Sequence, residues 1–248
     1  MSQSIQRAIE IVEYVSVQPR TPSEVGAHFD IHRSTALRTL QTLTESGLTR
    51  RREDGRYGVG YRLAGLANLA LDQFDLANIA HPYLQELGRR CGHTVHLAAV
   101  QGRSIVYADK IEQPGMVRLY SQIGHPVTIH TSGVGKAILA YLAPEFVEHV
   151  LSSVDFPRYT ATTITSREQF LEQLAQVVER GYAVDDGEYE DFLHCVAMPL
   201  RDATGQVTGA VSITALKARA TMDDLVDLLL GHTGTLRPQA GRSARPTW

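Results

Sequence analysis

Residues Ile31–Gly47, IHRSTALRTLQTLTESG, constrain this chain more than any other stretch. On a helix turning about 100° per residue, Ala36, Leu37, Leu40 and Leu43 gather on one side, and Ser34, Thr35, Arg38, Thr39 and Thr42 on the other. A solvated helix face usually carries Glu and Lys in i,i+4 pairs. This face carries short hydroxyls and arginine, with an acid only at Glu45 near its far end. Hydroxyl and guanidinium groups are the donors that phosphate oxygens and base edges accept.

The flanks agree. Upstream, Thr21-Pro22-Ser23-Glu24 is a capping box with proline at the first helical position, so a second helix starts there and runs to about His28, with Val25 and Phe29 inward. Residues 29–32 suit the tight turn of a helix-turn-helix. Downstream, Gly47 stops the recognition helix, and Leu48–Val59 reads as two short strands around Asp54-Gly55. Arg50, Arg51, Arg52 and Arg56 crowd that hairpin, where a winged module grips the backbone beside its groove. The expected DNA contacts are Arg33, Ser34, Thr35, Arg38, Thr39 and Thr42 on the helix and Arg51 and Arg56 on the wing, against a roughly palindromic double-stranded operator.

The net charge of −3 looks wrong for a DNA-binding protein until it is divided. Residues 1–62 hold nine arginines against seven acids, and the remainder fifteen Lys and Arg against twenty acids, so the basic footprint is local. Two cysteines, Cys91 and Cys195, make no disulfide framework, and no apolar run has membrane length. These features predict a soluble, cytoplasmic protein that does not engage membranes.

Residues 4–17 complete a three-helix core with Ile5, Ala8, Ile9, Val12 and Val15 inward. Tyr61–Leu71 is an Ala/Leu-rich helix too apolar for a tether, expected to connect the domains and to pair with a second copy. A helix from Asp75 follows, with Leu76, Ile79, Ala80, Leu84 and Leu87 inward, stopping at Gly92. Period-two segments then predict strands at Thr94–Val100, Ser104–Ile111, Val117–Tyr120 and Pro126–His130. Helices are expected at Gly133–Leu142, Pro144–Leu151 and Arg167–Arg180. Strands at Tyr182–Asp185, His194–Arg201 and Val207–Thr214 precede a last helix from Thr221 to about Leu236. The fold class is α+β: a winged helix-turn-helix over 1–61, a linker helix over 62–74, an antiparallel-sheet sandwich over 75–237, and a loose tail over 238–248.

Several motifs in this order resemble the IclR (isocitrate lyase regulator) family over about residues 3–236: IQRAIEIVEYV, IHRSTALRTLQTLTESGL, GRYGVGYRLAGLA, HTSGVGKAILAYL, and the run from ERGYAVDDGEYEDFLHCVAMPL to TGAVSIT. The resemblance implies a transcriptional repressor or activator, a homodimer or dimer of dimers, whose GAF-like second domain binds a small-molecule effector. It implies a small carboxylate held by the amides of Gly133 and Val134 and by Asp185, Cys195, Ser212 and Thr214, under apolar cover from Met116, Leu119 and Val127. The chain departs from the family where a glycine often precedes the cysteine. Glu190-Asp191-Phe192-Leu193 stands there instead and adds an acid and an aromatic at the rim.

The residues carry some of this unaided. In HTSGVGKA, Ser132 is a cap and two glycines open a helix whose first amides lack partners, a site for an anion or simply a closely packed helix start. It is not a Walker loop, because no glycine stands five positions before Gly135 and Ala137 replaces the magnesium-binding hydroxyl. Cys195 and His194 are strand neighbours that point to opposite faces, so they form no nucleophile and base pair. His93, His96, His125, His130, Cys91 and Cys195 lack tight ligand spacing. No enzyme activity, metal or cofactor is expected. The competing reading is a DNA-binding dimer whose second domain only oligomerises.

Overall fold

The computed structural model describes residues 3–71, 75–113, 119 and 121–232. The chain divides into two compact units between Asp75 and Leu76. In the first, α1 (Gln3–Val17), α2 (Pro22–His28) and α3 (Arg33–Glu45) precede β1 (Thr49–Arg51), β2 (Tyr57–Val59) and α4 (Tyr61–Leu71). Ile11, Val15, Val25, Ala36, Leu40, Leu43 and Tyr57 form its core.

The inward stripe of α1 differs from the one expected. Ile5 and Ile9 are 64% and 55% exposed, and the buried positions are Ile11 and Val15, with Ala8 and Val12 beside them. The helix carries two apolar stripes, periodicity alone cannot rank them, and α2 and α3 cover only one.

Local chemistry sets the remaining boundaries. The Thr21 amide donates to Glu24 Oε2 at 2.7 Å and the Glu24 amide to Thr21 Oγ1 at 3.2 Å, closing the capping box at the start of α2. Gly55, at φ 79°, turns the hairpin, and Arg20 pairs with Tyr57 beside it. A Cβ at Gly60 would lie 2.1 Å from the Gly47 oxygen, so only glycine lets β2 close against the end of α3.

In the second unit, α5 (Asp75–Cys91) leads into β3 (Thr94–Gln101) and β4 (Ser104–Ile111). A 3-10 turn (Ile129–Thr131), α6 (Gly133–Leu139), α7 (Pro144–Leu151) and α8 (Arg167–Arg180) follow, then β5 (Ala183–Asp185), β6 (Leu193–Arg201), β7 (Val207–Leu216) and α9 (Met222–His232). The sheet is antiparallel throughout, in the order β4-β3-β7-β6-β5. Its two faces bury different cores. Leu84 and Leu87 of α5 and Leu225 and Leu229 of α9 pack with Val95, Val196 and Ile213 on one, while Ile138, Val150 and Phe170 from α6, α7 and α8 cover the other.

Three local expectations change. Ile79 is 65% exposed and Ala77 is buried instead, while Ala80, Leu84 and Leu87 of the expected stripe of α5 stay inside. Pro126–His130 is not a strand: Val127 donates to Ile105 O and Tyr107 to His125 O, but proline and the 3-10 turn stop a ladder. Helix α6 ends at Leu139, and Tyr141 and Leu142 continue it through i→i+3 bonds. The ninth helix is described only to His232, so the tail at 238–248 lies outside the described residues, as do 72–74 of the linker and all of the Val117–Tyr120 strand except Leu119.

Bonds from Thr21, its amide first and then its hydroxyl, with Arg56 beyond them, hold the Glu24 carboxyl at about 2 against an ordinary 4.5. A depressed folded-state value gives stability that is present above about pH 4.5 and lost as pH falls toward 2. Thr21→Ala is expected to cost about 1 kcal/mol in chemical denaturation at neutral pH, and the difference between wild type and Glu24→Gln to vanish over that acid window.

Candidate nucleic-acid face and effector cavity

On α3, Arg33, Ser34, Thr35, Arg38 and Thr42 are exposed and Thr39 is half-buried, opposite the buried Ala36, Leu40 and Leu43. The hydroxyls of Thr39 and Thr42 donate to Thr35 O and Arg38 O, both at 3.1 Å, which leaves their oxygens outward as acceptors. His32 caps α3 without a side-chain bond, so the helix presents its first amides. Among the described residues Arg33, Arg38 and Arg51 have no ion pair or hydrogen-bonded side-chain partner, and their guanidinium groups are available.

Arg56 is different. Its Nη1 lies 3.0 and 2.9 Å from the two Glu24 oxygens and donates to Pro19 O at 3.2 Å, tying the wing to α2. Sequence reading missed this because Glu24 already has a complete role in the capping box. Arg50 stacks over the Tyr61 ring, 5.5 Å from its centroid.

In the second unit, the strand register gathers the effector candidates. Cross-strand partners share a face, so Thr94, Thr214, Cys195 and Asp185 form one row across β3, β7, β6 and β5, and His96, Ser212, Ala197 and Ala183 the next. The start of α6 lies over both rows. A Cβ at Gly133 would stand 3.1 Å from Cys195 Sγ and 3.2 Å from the Ala197 Cβ, so the glycine brings helix and sheet together. Ser132 Oγ accepts the Gly135 amide at 3.0 Å. Leu119, Gly133, Val134, Asp185, Cys195, Ser212 and Thr214 line one cavity with His96, Tyr107, Ser121, Ser132, Tyr189, Glu190 and Leu193.

Two expected members stand apart. Val127 lines a separate cleft, because the 3-10 turn places residues 127 and 132–134 on opposite sides of one wall, and Met116 lies outside the described residues. His96 was considered only as a metal ligand, although the register sets it directly across from Ser212. The alternation of β3 puts His96 on the face of Thr94, but strand order was needed to pair it.

The electrostatics turn on a residue that the sequence reading did not single out. Lys136 is wholly buried, and its Nζ donates to both Glu188 oxygens at 2.6 and 2.7 Å. Burial raises Glu188 to about 7, with Lys136 opposing. Asp185 is also raised by burial against the pull of Lys136, and Glu190 by burial and then by Asp185. Glu190 Oε2 is buried with no hydrogen-bond partner among the described residues. The lining is therefore acidic, and the two cations near it are already engaged, Lys136 with Glu188 and Lys110 with Glu112 at 2.7 Å and with Ser121 O at 3.0 Å. Burial brings His96 down to about 3, so its ring is neutral and shares a 2.8 Å bond with Ser121 Oγ. Burial, then Asp185, pushes the Cys195 thiol up to about 12, far from a usable nucleophile.

Lys136→Met strands Glu188 in a buried site, with an expected loss of about 3–5 kcal/mol, whereas Lys136→Met with Glu188→Leu should recover most of it. Glu188 binds its proton more tightly folded than unfolded, so stability falls as pH rises from about 4.5 through 7. Without Lys136 that fall steepens, and denaturation of the single variant should show a smaller penalty at pH 5 than at pH 8.

Comparison with known proteins fits this geometry. The IclR helix-turn-helix domain model matches residues 4–53, and the bacterial transcriptional regulator IclR C-terminal model matches residues 68–232. The HTH-type transcriptional regulator XynR of Escherichia coli is 31% identical over 228 residues, covering 91% of this chain and 90% of XynR. The crystal structure of Thermotoga maritima IclR superposes with a TM-score of 0.77 at 28% identity, over 95% of this chain and 96% of that one. An IclR homologue from Microbacterium hydrocarbonoxydans, crystallised with 4-hydroxybenzoate, superposes at 0.76 with 25% identity over 94% and 98%. Among the described residues no helix is long and apolar enough to cross a membrane.

Proposed function

We infer, from the premise that this chain belongs to the IclR family of bacterial transcriptional regulators, that it represses a neighbouring catabolic operon and releases it on binding a small organic acid or related metabolite. The observation that carries the reading is the meeting of the Gly133 and Val134 start of α6 with Ser212 and Thr214 in one cavity. The bound 4-hydroxybenzoate of the Microbacterium neighbour supports an organic acid as the effector class. An effector shifts DNA affinity only through its differential affinity for two arrangements of the protein, typically by about 5 to 150-fold.

The DNA contacts of this reading are Arg33, Ser34, Thr35, Arg38, Thr39 and Thr42 with Arg51, and Arg56 moves to a supporting role. A homodimer or dimer of dimers follows from two apolar stripes left outside the first core. Ile5 and Ile9 on α1 and Leu66 and Leu69 on α4 are each 47–64% exposed, more than a lone unit usually leaves in view. Two-fold symmetry then asks for a roughly palindromic operator with half-sites about 34 Å apart, or multiples of it.

Arg38→Ala should weaken operator binding and, if Arg38 touches phosphate, flatten the salt slope by about one unit. Unchanged affinity in a salt titration would remove Arg38 from the interface. Ser212→Ala should weaken the effector without altering affinity for DNA in its absence. Burial raises Asp185 and Glu190, and a carboxylate effector beside them would push any ionised fraction further toward protonation, so binding should take up a proton and tighten as pH falls. Calorimetry in buffers of different ionisation enthalpy reads that proton directly. An effector that leaves operator affinity unchanged would favour a second domain that only oligomerises.

A further inference from the structure

The second unit holds another cleft, of about 360 Å³, on the far side of the wall that carries Val127. Its floor is apolar, from Ile105, Val127, Ile129 and Val150. Its rim carries Arg103 and His149 against a single acid, Asp155, and no side chain of the three has a hydrogen bond or ion pair among the described residues. The Tyr159 ring, 45% exposed, stacks on His130, which is fixed by an Nε2 bond to Pro157 O at 3.0 Å. An apolar trough with a ring wall and a basic rim suits one chemistry: an amphiphilic monocarboxylate with a flat or branched apolar body.

Two links join this cleft to the effector cavity. The segment that lines the cleft with Val127, Ile129 and His130 continues directly into Ser132, Gly133 and Val134, which line the cavity. The Tyr159 loop is also bonded to the loop that carries Glu188, Tyr189 and Glu190. Thr160 Oγ1 donates to Gly187 O and Thr163 Oγ1 to Glu188 O, both at 2.7 Å, and the Tyr159 and Tyr189 rings lie 4.5 Å apart. We propose that the cleft is a second ligand site for an apolar monocarboxylate, and that its occupancy adjusts the effector cavity through the residue 127–134 wall and the Tyr159–Tyr189 contact.

The test uses the full-length protein with phenylacetate as probe and 2-phenylethanol as its uncharged counterpart. Two rim variants, Arg103→Ala and Ser153→Trp, leave both cores intact, the first removing the cation and the second filling the mouth. Phenylacetate should bind with Kd of about 1 mM or tighter, and each variant should weaken it by about tenfold or more. The alcohol should be indifferent to Arg103→Ala. Amide hydrogen exchange should slow at 127–136 and 186–190 on phenylacetate binding to wild type, and not in Ser153→Trp. Failure to bind by about 10 mM, or affinity that Ser212→Ala lowers while both rim variants leave it unchanged, would overturn the site. Binding that respects the rim variants but leaves exchange at 186–190 unaltered would overturn the coupling.

Discussion

The second unit depends on a lysine that reaches no water. Lys136 sits in the middle of α6, where its ammonium would be untenable without the two Glu188 oxygens, and Glu188 would be nearly as costly without it. The pair binds the helix whose start roofs the cavity to the loop that forms its rim. Thr160, Thr162 and Thr163 fasten the same loop from outside through its carbonyls at 186–188. A loop held from both sides can hold Tyr189 and Glu190 at fixed positions, which a cavity with several converging polar groups requires. The pair also sets the charge of the site. Burial outweighs the pull of Lys136 at Asp185, and at Glu190 burial and then Asp185 act together, so both carboxyls are raised.

The first unit solves a comparable problem at its surface. Glu24 closes the capping box of α2 and accepts Arg56 across from the wing, so one carboxylate fixes both a helix start and the hairpin's attitude beside α3. The orientation of the wing relative to the recognition helix is thereby built from short bonds, which suits a module that must meet a groove and its flanking backbone together.

Much of this was legible in the sequence where chemistry is local. The capping box at Thr21, the stop at Gly181, the Asp54-Gly55 turn and the bounds of α7 and α8 each follow from a few adjacent residues. Seven of nine expected effector residues also share the cavity, a grouping that came from family motifs more than from spacing. What stayed hidden depends on partners far along the chain. Ile5 and Ile9 could not be separated from Ile11 and Val15 before the neighbours of α1 were known. His96 needed the β3–β7 register to meet Ser212, and Val127 needed the 3-10 turn to place it on the other side of the wall. Lys136 went unremarked, since nothing near position 136 announces a carboxylate 52 residues away.

The basic residues make the general point. Arg33, Arg38, Arg51, Arg56 and Lys136 are alike as charges, and composition treats them so. A guanidinium or ammonium contributes to outside recognition only if its own protein has not already satisfied it, since exchanging one good partner for another gains little. Arg56 and Lys136 have carboxylates at 3.0 Å or less, whereas the other three have no such partner among the described residues. The basic face of the first unit is therefore the unspent fraction of its charge, concentrated on α3 and one edge of the wing. By the same reasoning the cavity at the start of α6, if it takes the effector as proposed, would select ligands by shape, hydrogen bonds and proton sharing more than by bare attraction for an anion.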